Sequence, residues 1–296
     1  MRLFNKTKFN FLSKKKYTTF MSCVLISLGL LSLISKGGPD LSIDFTGGTI
    51  IQLKFDKSMA ISDLRNSLKQ NAIPISQILE FGNDKEYILR AQNLNYNSKD
   101  LIASLDSILE IPFEVRRVET VGPRIGRELR SEALQAILYA LLGILFYIWY
   151  RFDRFYALGS VAALVHDVII TIGIFSIFDF EIDLTTIAAF LTIVGYSLND
   201  TIVVFDRIRE NIGKYSRENL ESVVNLSLNE TLSRTFITSL TTLIVVFILF
   251  FVGGEVIKLF ALALIVGVFV GTYSSIYVAS IVMIYFENKA GQKLSK

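Results

Sequence analysis

Six apolar stretches dominate the hydrophobic pattern of this 296-residue chain. A helix that crosses a lipid bilayer needs about 20 consecutive, mostly apolar residues. The stretches close to this length lie at 17–36, 133–150, 156–177, 184–205, 235–253 and 257–286. Hydrophobic residues make up 52% of the chain, a composition typical of membrane proteins with several spans and far from that of a soluble globular domain.

One long segment, residues 37–132, lacks this apolar character and is predicted to fold as the only soluble domain. Its pattern predicts strands at 49–55, 75–82, 86–92 and 113–121, and helices at 58–71 and 98–109. We expect Ser58 and Ser98 to cap the two helices, and Asn83-Asp84 to form the tight turn between the middle strands. The order βαββαβ is that of ferredoxin-like domains.

The predicted fold class is therefore a polytopic α-helical membrane protein with six transmembrane helices and one extracytoplasmic α+β domain of the ferredoxin-like type. In this division, 17–36 is the first transmembrane helix and 133–286 forms a bundle of five helices.

Basic residues mark alternate ends of the spans. They lie before the first span, after the second, after the fourth and in the tail: Arg2, Lys6, Lys8, Lys14, Lys15, Lys16, Arg151, Arg154, Arg207, Arg209, Lys214, Arg217, Lys289, Lys293 and Lys296. By the positive-inside rule, the N-terminal segment 1–16 and the tail 287–296 are predicted to be cytoplasmic, where they would attract anionic membrane lipid. The sequence has no stripe of basic residues with interleaved aromatic residues, so it predicts no nucleic-acid partner.

The loop at 207–233 is also predicted to be cytoplasmic. Leu220, Val223 and Val224 recur in it at helical spacing among polar residues. This pattern predicts a short amphipathic helix at the membrane interface. A solvated linker is the alternative.

Charged residues within the spans are the candidate functional residues. Asp200 lies in an apolar run, where a carboxylate costs about 2.5–3.5 kcal/mol. Arg234, in the next span, lies at a matching depth and is its predicted partner. The two are candidates for a proton relay, and the alternative is a static ion pair that fixes helix packing. Thr238 and Thr241 follow Arg234 at i+4 and i+7 and predict hydroxyl groups that face inward, while Asn199 is expected to bond or pack against another helix.

A second polar pair, His166 and Asp167, lies near the centre of the third span. His166 is the only histidine of the chain, and an imidazole can change its charge near neutral pH. A histidine can also donate a hydrogen bond across helices without ever titrating, so both roles remain open.

Several longer motifs carry a resemblance to a known family. They are DFTGGT (44–49), VGPRIG (121–126), RFDRFYALGSVAALVHDVIIT (151–171), VGYSLNDTIVVFDRIREN (194–211) and TLSRT (231–235). Together they resemble the SecF family of the resistance–nodulation–division superfamily, in which proton entry is coupled to movement of an extracytoplasmic domain. The resemblance implies that the N-D-T aspartate and the L-S-R-T arginine, here Asp200 and Arg234, belong to a proton pathway. Thr238 matches by position.

The resemblance also implies partners. These are a SecD-like subunit in a heterodimer, the Sec channel complex, unfolded preprotein and protons, with the chain in the plasma membrane of a bacterium. It implies no enzymatic activity, cofactor or metal. The alternative is a proton-driven small-solute exporter of the same superfamily, but such exporters usually carry twelve spans and two large outer domains. An intramembrane aspartyl protease would require a GxGD motif, which the sequence lacks.

Overall fold

The computed structural model describes residues 7–71, 73, 75–91, 98–109, 111–215 and 219–294. Arg2, Lys6, Arg217 and Lys296, used above to predict orientation, lie outside these residues. The chain forms two compact units. The helical unit comprises the chain up to Asp40, Ile137–Phe180 and the chain from Thr185, and the sheet unit comprises Leu41–Ala136 and Glu181–Leu184.

The elements follow one another in the order helix, sheet domain, helices. The α-helices are α1 (Lys15–Lys36), α2 (Ile43–Thr46), α3 (Ile61–Gln70), α4 (Ser98–Ile108), α5 (Pro123–Arg151), α6 (Arg154–Ile177), α7 (Leu184–Lys214), α8 (Leu220–Val252), α9 (Glu255–Ser274) and α10 (Ser280–Leu294). The strands are β1 (Gly48–Phe55), β2 (Ile75–Phe81), β3 (Asn83–Ala91) and β4 (Phe113–Val121).

All six predicted spans are present among the described residues as helices long and apolar enough to cross a membrane. Helices α1, α5, α6, α7 and α8 each provide one span, and α9, a π-helical turn (Ser275–Ala279) and α10 together provide the sixth. The predicted fold class is confirmed. Helix α8 has 33 residues and is about 50 Å long, so it extends well beyond a hydrocarbon core of about 30 Å.

The predicted interfacial helix in the loop at 207–233 is not a separate element. Leu220, Val223 and Val224 form the first turns of α8, and the Asn219 side chain caps this helix by accepting a hydrogen bond of 3.1 Å from the Glu221 N–H. Val223 and Val224 are buried, and Val224 belongs to the core of the helical unit. Burial against other helices, rather than against lipid, therefore accounts for the apolar periodicity.

The same part of α8 holds the N-terminal segment of the chain. The Phe9 and Phe11 N–H groups donate to the side-chain oxygens of Asn229 and Asn225, both at 2.8 Å. The two asparagine amides donate in return to the Phe9 carbonyl oxygen. Leu12, next along the chain, is then buried in the helical core.

The sheet unit is built on an antiparallel sheet with the strand order β2-β3-β1-β4. This order, with one helix in each crossover, is the ferredoxin-like arrangement expected from the sequence. Its core is formed by alternate residues of the strands together with the apolar faces of α3 and α4, including Leu53, Phe55, Leu64, Tyr87 and Leu105.

Two local predictions for this unit were wrong. Ser58 does not cap α3, which begins at Ile61 after Ala60, because the Tyr87 hydroxyl donates to the Met59 carbonyl and holds it against the sheet. Ser98 is the first described residue of α4, and its role as a cap stays a prediction. The turn between β2 and β3 is centred on Gly82, whose φ of 73° suits a residue without a Cβ, and Asn83 already pairs with Phe81.

Close approaches of the helix backbones fix the packing of the helical unit. A Cβ on Gly29 of α1 would lie 2.8 Å from the Gly173 Cα of α6. A Cβ on Gly271 of α9 would lie 3.0 Å from the Ser197 Cβ of α7. Small residues at helix crossings let interhelical van der Waals contacts form in the membrane, where apolar burial alone drives little association.

Candidate functional site

Asp200 is a buried carboxylate on α7. The residue is only 2% exposed, and its Oδ2 atom has no hydrogen-bond partner within the described part of the chain. A buried acid without a partner is costly, and such groups in membrane spans commonly belong to ion or proton pathways. The structure therefore leaves Asp200 as an unsatisfied acceptor inside the bundle.

Arg234 does not form the predicted direct ion pair with Asp200. Among the ion pairs of the described residues, none within 4.0 Å joins the two side chains. Arg234 lies on an exposed position of α8, although its charge is close enough to act on Asp200 through space. The expected direct contact is absent among the described residues because the arginine does not turn inward within this chain, and a shared role of the two residues in a proton pathway stays a prediction.

The threonines after Arg234 also do not form an inward-facing series. Thr238 Oγ1 donates to the carbonyl oxygens of Arg234 and Thr235, at 3.1 and 2.9 Å. Thr241 bonds to its own helix in the same way and is exposed. These hydroxyls satisfy backbone carbonyls within α8, as threonine commonly does in a helix.

Asn199 is exposed as well, and its side chain forms no hydrogen bond to another helix among the described residues. Arg234, Thr241 and Asn199 therefore place polar groups on the outer surface of α7 and α8. We call these three residues the exposed polar set.

His166 and Asp167 form the centre of a buried hydrogen-bond network. Asp167 is 1% exposed, and its Oδ1 lies 2.8 Å from His166 Nδ1. Its Oδ2 accepts from the hydroxyls of Ser197 on α7, at 2.5 Å, and of Ser274 on α9, at 2.7 Å. The carboxylate thus has one partner on its own helix and one on each of two others, which compensates its burial.

The network continues from His166 to the first span. His166 Nε2 lies 3.0 Å from the Ser22 hydroxyl of α1, and this hydroxyl lies 2.9 Å from that of Tyr273. The Tyr273 hydroxyl donates to the Thr18 carbonyl, at 2.7 Å. If the imidazole donates from Nδ1 to Asp167 and accepts at Nε2 from Ser22, the single Tyr273 proton must choose between Ser22 and Thr18, so these contacts are not all hydrogen bonds at the same time.

The sequence predicted His166 and Asp167 as a polar pair but missed Ser22, Ser197, Ser274 and Tyr273. These residues come from α1, α7 and α9, and single hydroxyls in apolar runs carry no distinctive signal. The position of the network relative to Asp200 follows from the spacing along α7. Ser197 lies three residues before Asp200, so the network and the unsatisfied acid lie about one turn apart on α7.

Charged residues near the C-terminal end of α7 attach it to its neighbours. Arg207 pairs with Glu230 of α8 at 2.7 Å, and Asn211 donates to the same carboxylate at 2.6 Å. Arg151 of α5 pairs with Asp206 at 2.8 Å. Among the described residues, no group of three histidine, cysteine, aspartate or glutamate side chains is placed to hold a metal ion.

A six-span bundle with a ferredoxin-like domain and a buried acid that has no hydrogen-bond partner among the described residues has the architecture of a membrane transport component. The sequence model for the C-terminal part of the protein export membrane proteins SecD and SecF matches residues 101–289, and the SecD/SecF GG motif matches residues 32–59. The chain belongs to the SecD/SecF family of protein export membrane proteins.

Curated relatives are similar over nearly their full length. Protein translocase subunit SecF of Desulfurispirillum indicum is 46% identical over 287 residues, which cover 93% of this chain and 91% of the relative. The subunit of the same name from Rickettsia felis is 39% identical, covering 98% of this chain and 95% of the relative.

Two solved structures are also similar. SecDF from Thermus thermophilus, described as a translocon-associated membrane protein, superposes with a TM-score of 0.85 at 40% identity over 95% of this chain. A second structure of SecDF, in a form called super-membrane-facing, gives a TM-score of 0.75 at 39% identity. The chain spans about two fifths of the length of these SecDF chains, 39% and 41%.

Proposed function

We propose that the chain is a SecF-type auxiliary subunit of a bacterial Sec preprotein translocase. In this proposal it works with a SecD-like subunit and the Sec channel, and uses the proton gradient in late steps of the export of unfolded preproteins. Membership of the SecD/SecF family and the full-length similarity to subunits named SecF support the role in export. The observation that supports proton coupling is the buried Asp200 with its unpartnered oxygen.

The exposed polar set supports a partner subunit. Arg234 at a membrane-exposed position costs about 2.5–3.5 kcal/mol if it faces lipid near the bilayer centre. In the most apolar 18-residue stretch of each helix, 6% of the residues of α5 and 22% of those of α8 are buried, compared with 56% for α6. Exposed apolar side chains alone would be compatible with contact with lipid, whereas an arginine side chain requires hydrogen-bond acceptors. A SecD-like subunit that covers this face of α8 supplies them.

The proposed mechanism rests on the charge of Asp200. As a carboxylate it attracts the Arg234 guanidinium through space, and as a neutral acid it does not. Each proton that crosses the membrane potential supplies about 2.3 kcal/mol per 100 mV. This is enough to bias a two-state movement of helices, and many such steps together do the work of export.

The distribution of basic residues supports a proposed topology. We propose a plasma-membrane location with both termini in the cytoplasm and the sheet unit on the outer side, where it meets the emerging preprotein. The cytoplasmic lysines and arginines then face anionic lipid headgroups.

Substitution of the two charges tests the proposal. Asp200→Asn keeps the volume of the side chain but removes the titratable proton, so gradient-dependent export should stop while the protein accumulates normally. Arg234→Met should have the same effect. The double variant Asp200→Asn, Arg234→Met should also be inactive, and recovery of export in it would contradict proton coupling through Asp200.

The matched control is the more exposed ion pair that joins α5 to α7. Arg151→Met and Asp206→Asn apply the same chemical changes to side chains that are 37% and 38% exposed. Exposed ion pairs contribute about 0–1 kcal/mol, so export should change little in the control. Export is measured in cells that also produce the SecD-like subunit, at equal amounts of each variant.

The partner itself is tested by extraction in mild detergent. A second membrane subunit should copurify with the chain, and Arg234→Met should weaken this association. A chain that supports gradient-dependent export without any second subunit would contradict the proposal.

A further inference from the structure

The turn DFTGGT (44–49) packs against the start of α5. Gly47 has a φ of 76°, and a Cβ on it would lie 3.0 Å from the Pro123 Cα. From the other side, a Cβ on Gly126 would lie 2.9 Å from the Gly47 nitrogen. Glycine at both positions therefore lets the backbones of DFTGGT and VGPRIG touch, which no larger residue would allow without displacement.

The segment around this turn also holds the start of α7. The Leu184 N–H, in the first turn of α7, donates to Asp44 Oδ2 at 3.2 Å. The Ser42 N–H donates to the Ile182 carbonyl oxygen at 3.0 Å, and Leu41 and Ile182 form a parallel bridge. A carboxylate that accepts from the first N–H groups of a helix stabilises its N-terminus.

A further contact to this segment comes from the central part of the sheet. Arg90 of β3, which pairs with Ile50 of β1, forms an ion pair with Glu181. The two side chains are only 17% and 10% exposed, so breaking the pair on one side leaves a largely desolvated charge. We call the contacts of Leu41, Ser42, Asp44 and Arg90 with Glu181, Ile182 and Leu184 the clasp.

All clasp residues belong to the sheet unit, and the chain continues from Leu184 as α7. A helix is stiff along its axis, and Asp200 lies 16 residues, about 24 Å, further along the same helix. We propose that the clasp couples the sheet domain to α7, so that a movement of the domain displaces the helix that carries Asp200. Asp44, Arg90 and Glu181 are then positioning residues, and the DFTGGT turn is the point where the domain holds α5 and α7 at once.

This inference rests on the proposed function of Asp200. Its first test uses a physical measurement that does not depend on that function. Hydrogen exchange of the backbone amides at 182–188 is measured in the full chain together with its partner subunit. Asp44→Ala and Glu181→Gln should each accelerate this exchange about tenfold, the effect expected from losing one hydrogen bond to a charged group. Unchanged exchange in both variants would overturn the clasp.

A second ion pair in the same sheet provides the matched control. Lys54 and Glu86 pair at 3.7 Å between β1 and β3, and neither forms a hydrogen bond or ion pair with residues 181–184 in the described part of the chain. Lys54→Met and Glu86→Gln should leave the exchange at 182–188 within about twofold of the original value. Acceleration equal to that of Glu181→Gln would show general loosening of the sheet and would overturn the coupling.

The second test asks whether the clasp transmits movement. Arg90→Met should reduce export, and a disulfide between Leu41→Cys and Ile182→Cys, in a Cys23→Ser background, should restore it under oxidising conditions and lose it again on reduction. Normal export by Arg90→Met with accelerated exchange, or no rescue by a disulfide that has formed, would each overturn the proposal.

Asp200→Asn, measured in parallel, separates this inference from the proposed function. It should stop export and leave the exchange at 182–188 unchanged. If Asp200→Asn exports normally, proton coupling through Asp200 is wrong, while the exchange measurements still decide whether the clasp holds α7.

Discussion

Two buried aspartates that differ in their hydrogen-bond contacts lead to opposite expectations for stability. Asp167 is 1% exposed and has three side-chain partners, whereas Asp200 is 2% exposed and has an oxygen without one among the described residues. Replacement of either residue by leucine keeps a branched side chain of similar length and removes the carboxylate. Burial is therefore matched, and only the hydrogen bonds differ.

The magnitude follows from the partners. Hydrogen bonds between side chains in a membrane protein contribute about 0.6 kcal/mol each on average, and up to about 1.7 kcal/mol. Asp167→Leu removes three such bonds, so it should lower the free energy of unfolding by about 2 kcal/mol and at most about 5 kcal/mol. Asp200→Leu removes no bond and relieves a desolvated polar atom, so its effect should be neutral or stabilising.

The assay is unfolding by sodium dodecyl sulfate in mixed micelles, followed by circular dichroism. Ser197→Ala and Ser274→Ala are graded controls, because each removes one donor from Asp167 and should cost about a third as much as Asp167→Leu. Equal destabilisation by Asp167→Leu and Asp200→Leu would refute the reasoning. So would serine variants without any effect on stability.

Two further predictions concern packing and pH. Gly159→Ala places a Cβ 2.6 Å from a backbone oxygen of the π-helical turn and should lower unfolding stability by about 1–3 kcal/mol, whereas Gly143→Ala, with nothing within 4 Å, should be neutral or stabilising by up to about 1 kcal/mol in the same assay. Burial raises the pKa of the Tyr87 hydroxyl, so the stability that its neutral form contributes is complete below the ordinary tyrosine value of about 10 and is lost as pH rises above it. Tyr87→Phe should remove this decline, as measured by thermal unfolding at increasing pH, and an unchanged decline would contradict the assignment.

Local patterns predicted the strands and the membrane spans of this chain. Strand β4 was predicted with its observed bounds and β1 to within one residue, because alternation along a strand is a property of neighbouring residues. The spans were predicted for the same reason. The cap at Ser58 failed because a tertiary contact, the bond from Tyr87 to the Met59 carbonyl, decides where α3 begins.

The candidate site was predictable only in part. Asp200, His166 and Asp167 stand out because charged residues are rare in apolar runs. Their partners do not, since Ser22 is 144 residues from His166 and Ser274 is 107 residues from Asp167. The sequence also could not predict which way the Arg234 side chain faces. A charge in a span requires a partner, but the pattern does not say which subunit supplies that partner.

The contacts along α7 suggest how one helix can be both held and responsive. Its first turn is bound by Asp44, its middle by the bond from Ser197 to Asp167, and its C-terminal end by the ion pair of Arg207 with Glu230. Asp200 lies between the last two of these attachments and is the buried acid on α7 whose oxygen has no described partner. A change in its charge therefore acts on a helix whose other polar contacts are satisfied. If proton transfer through Asp200 drives movement, the attachments at Ser197 and Asp44 should persist through the cycle while the relation of α7 to the exposed Arg234 of α8 changes.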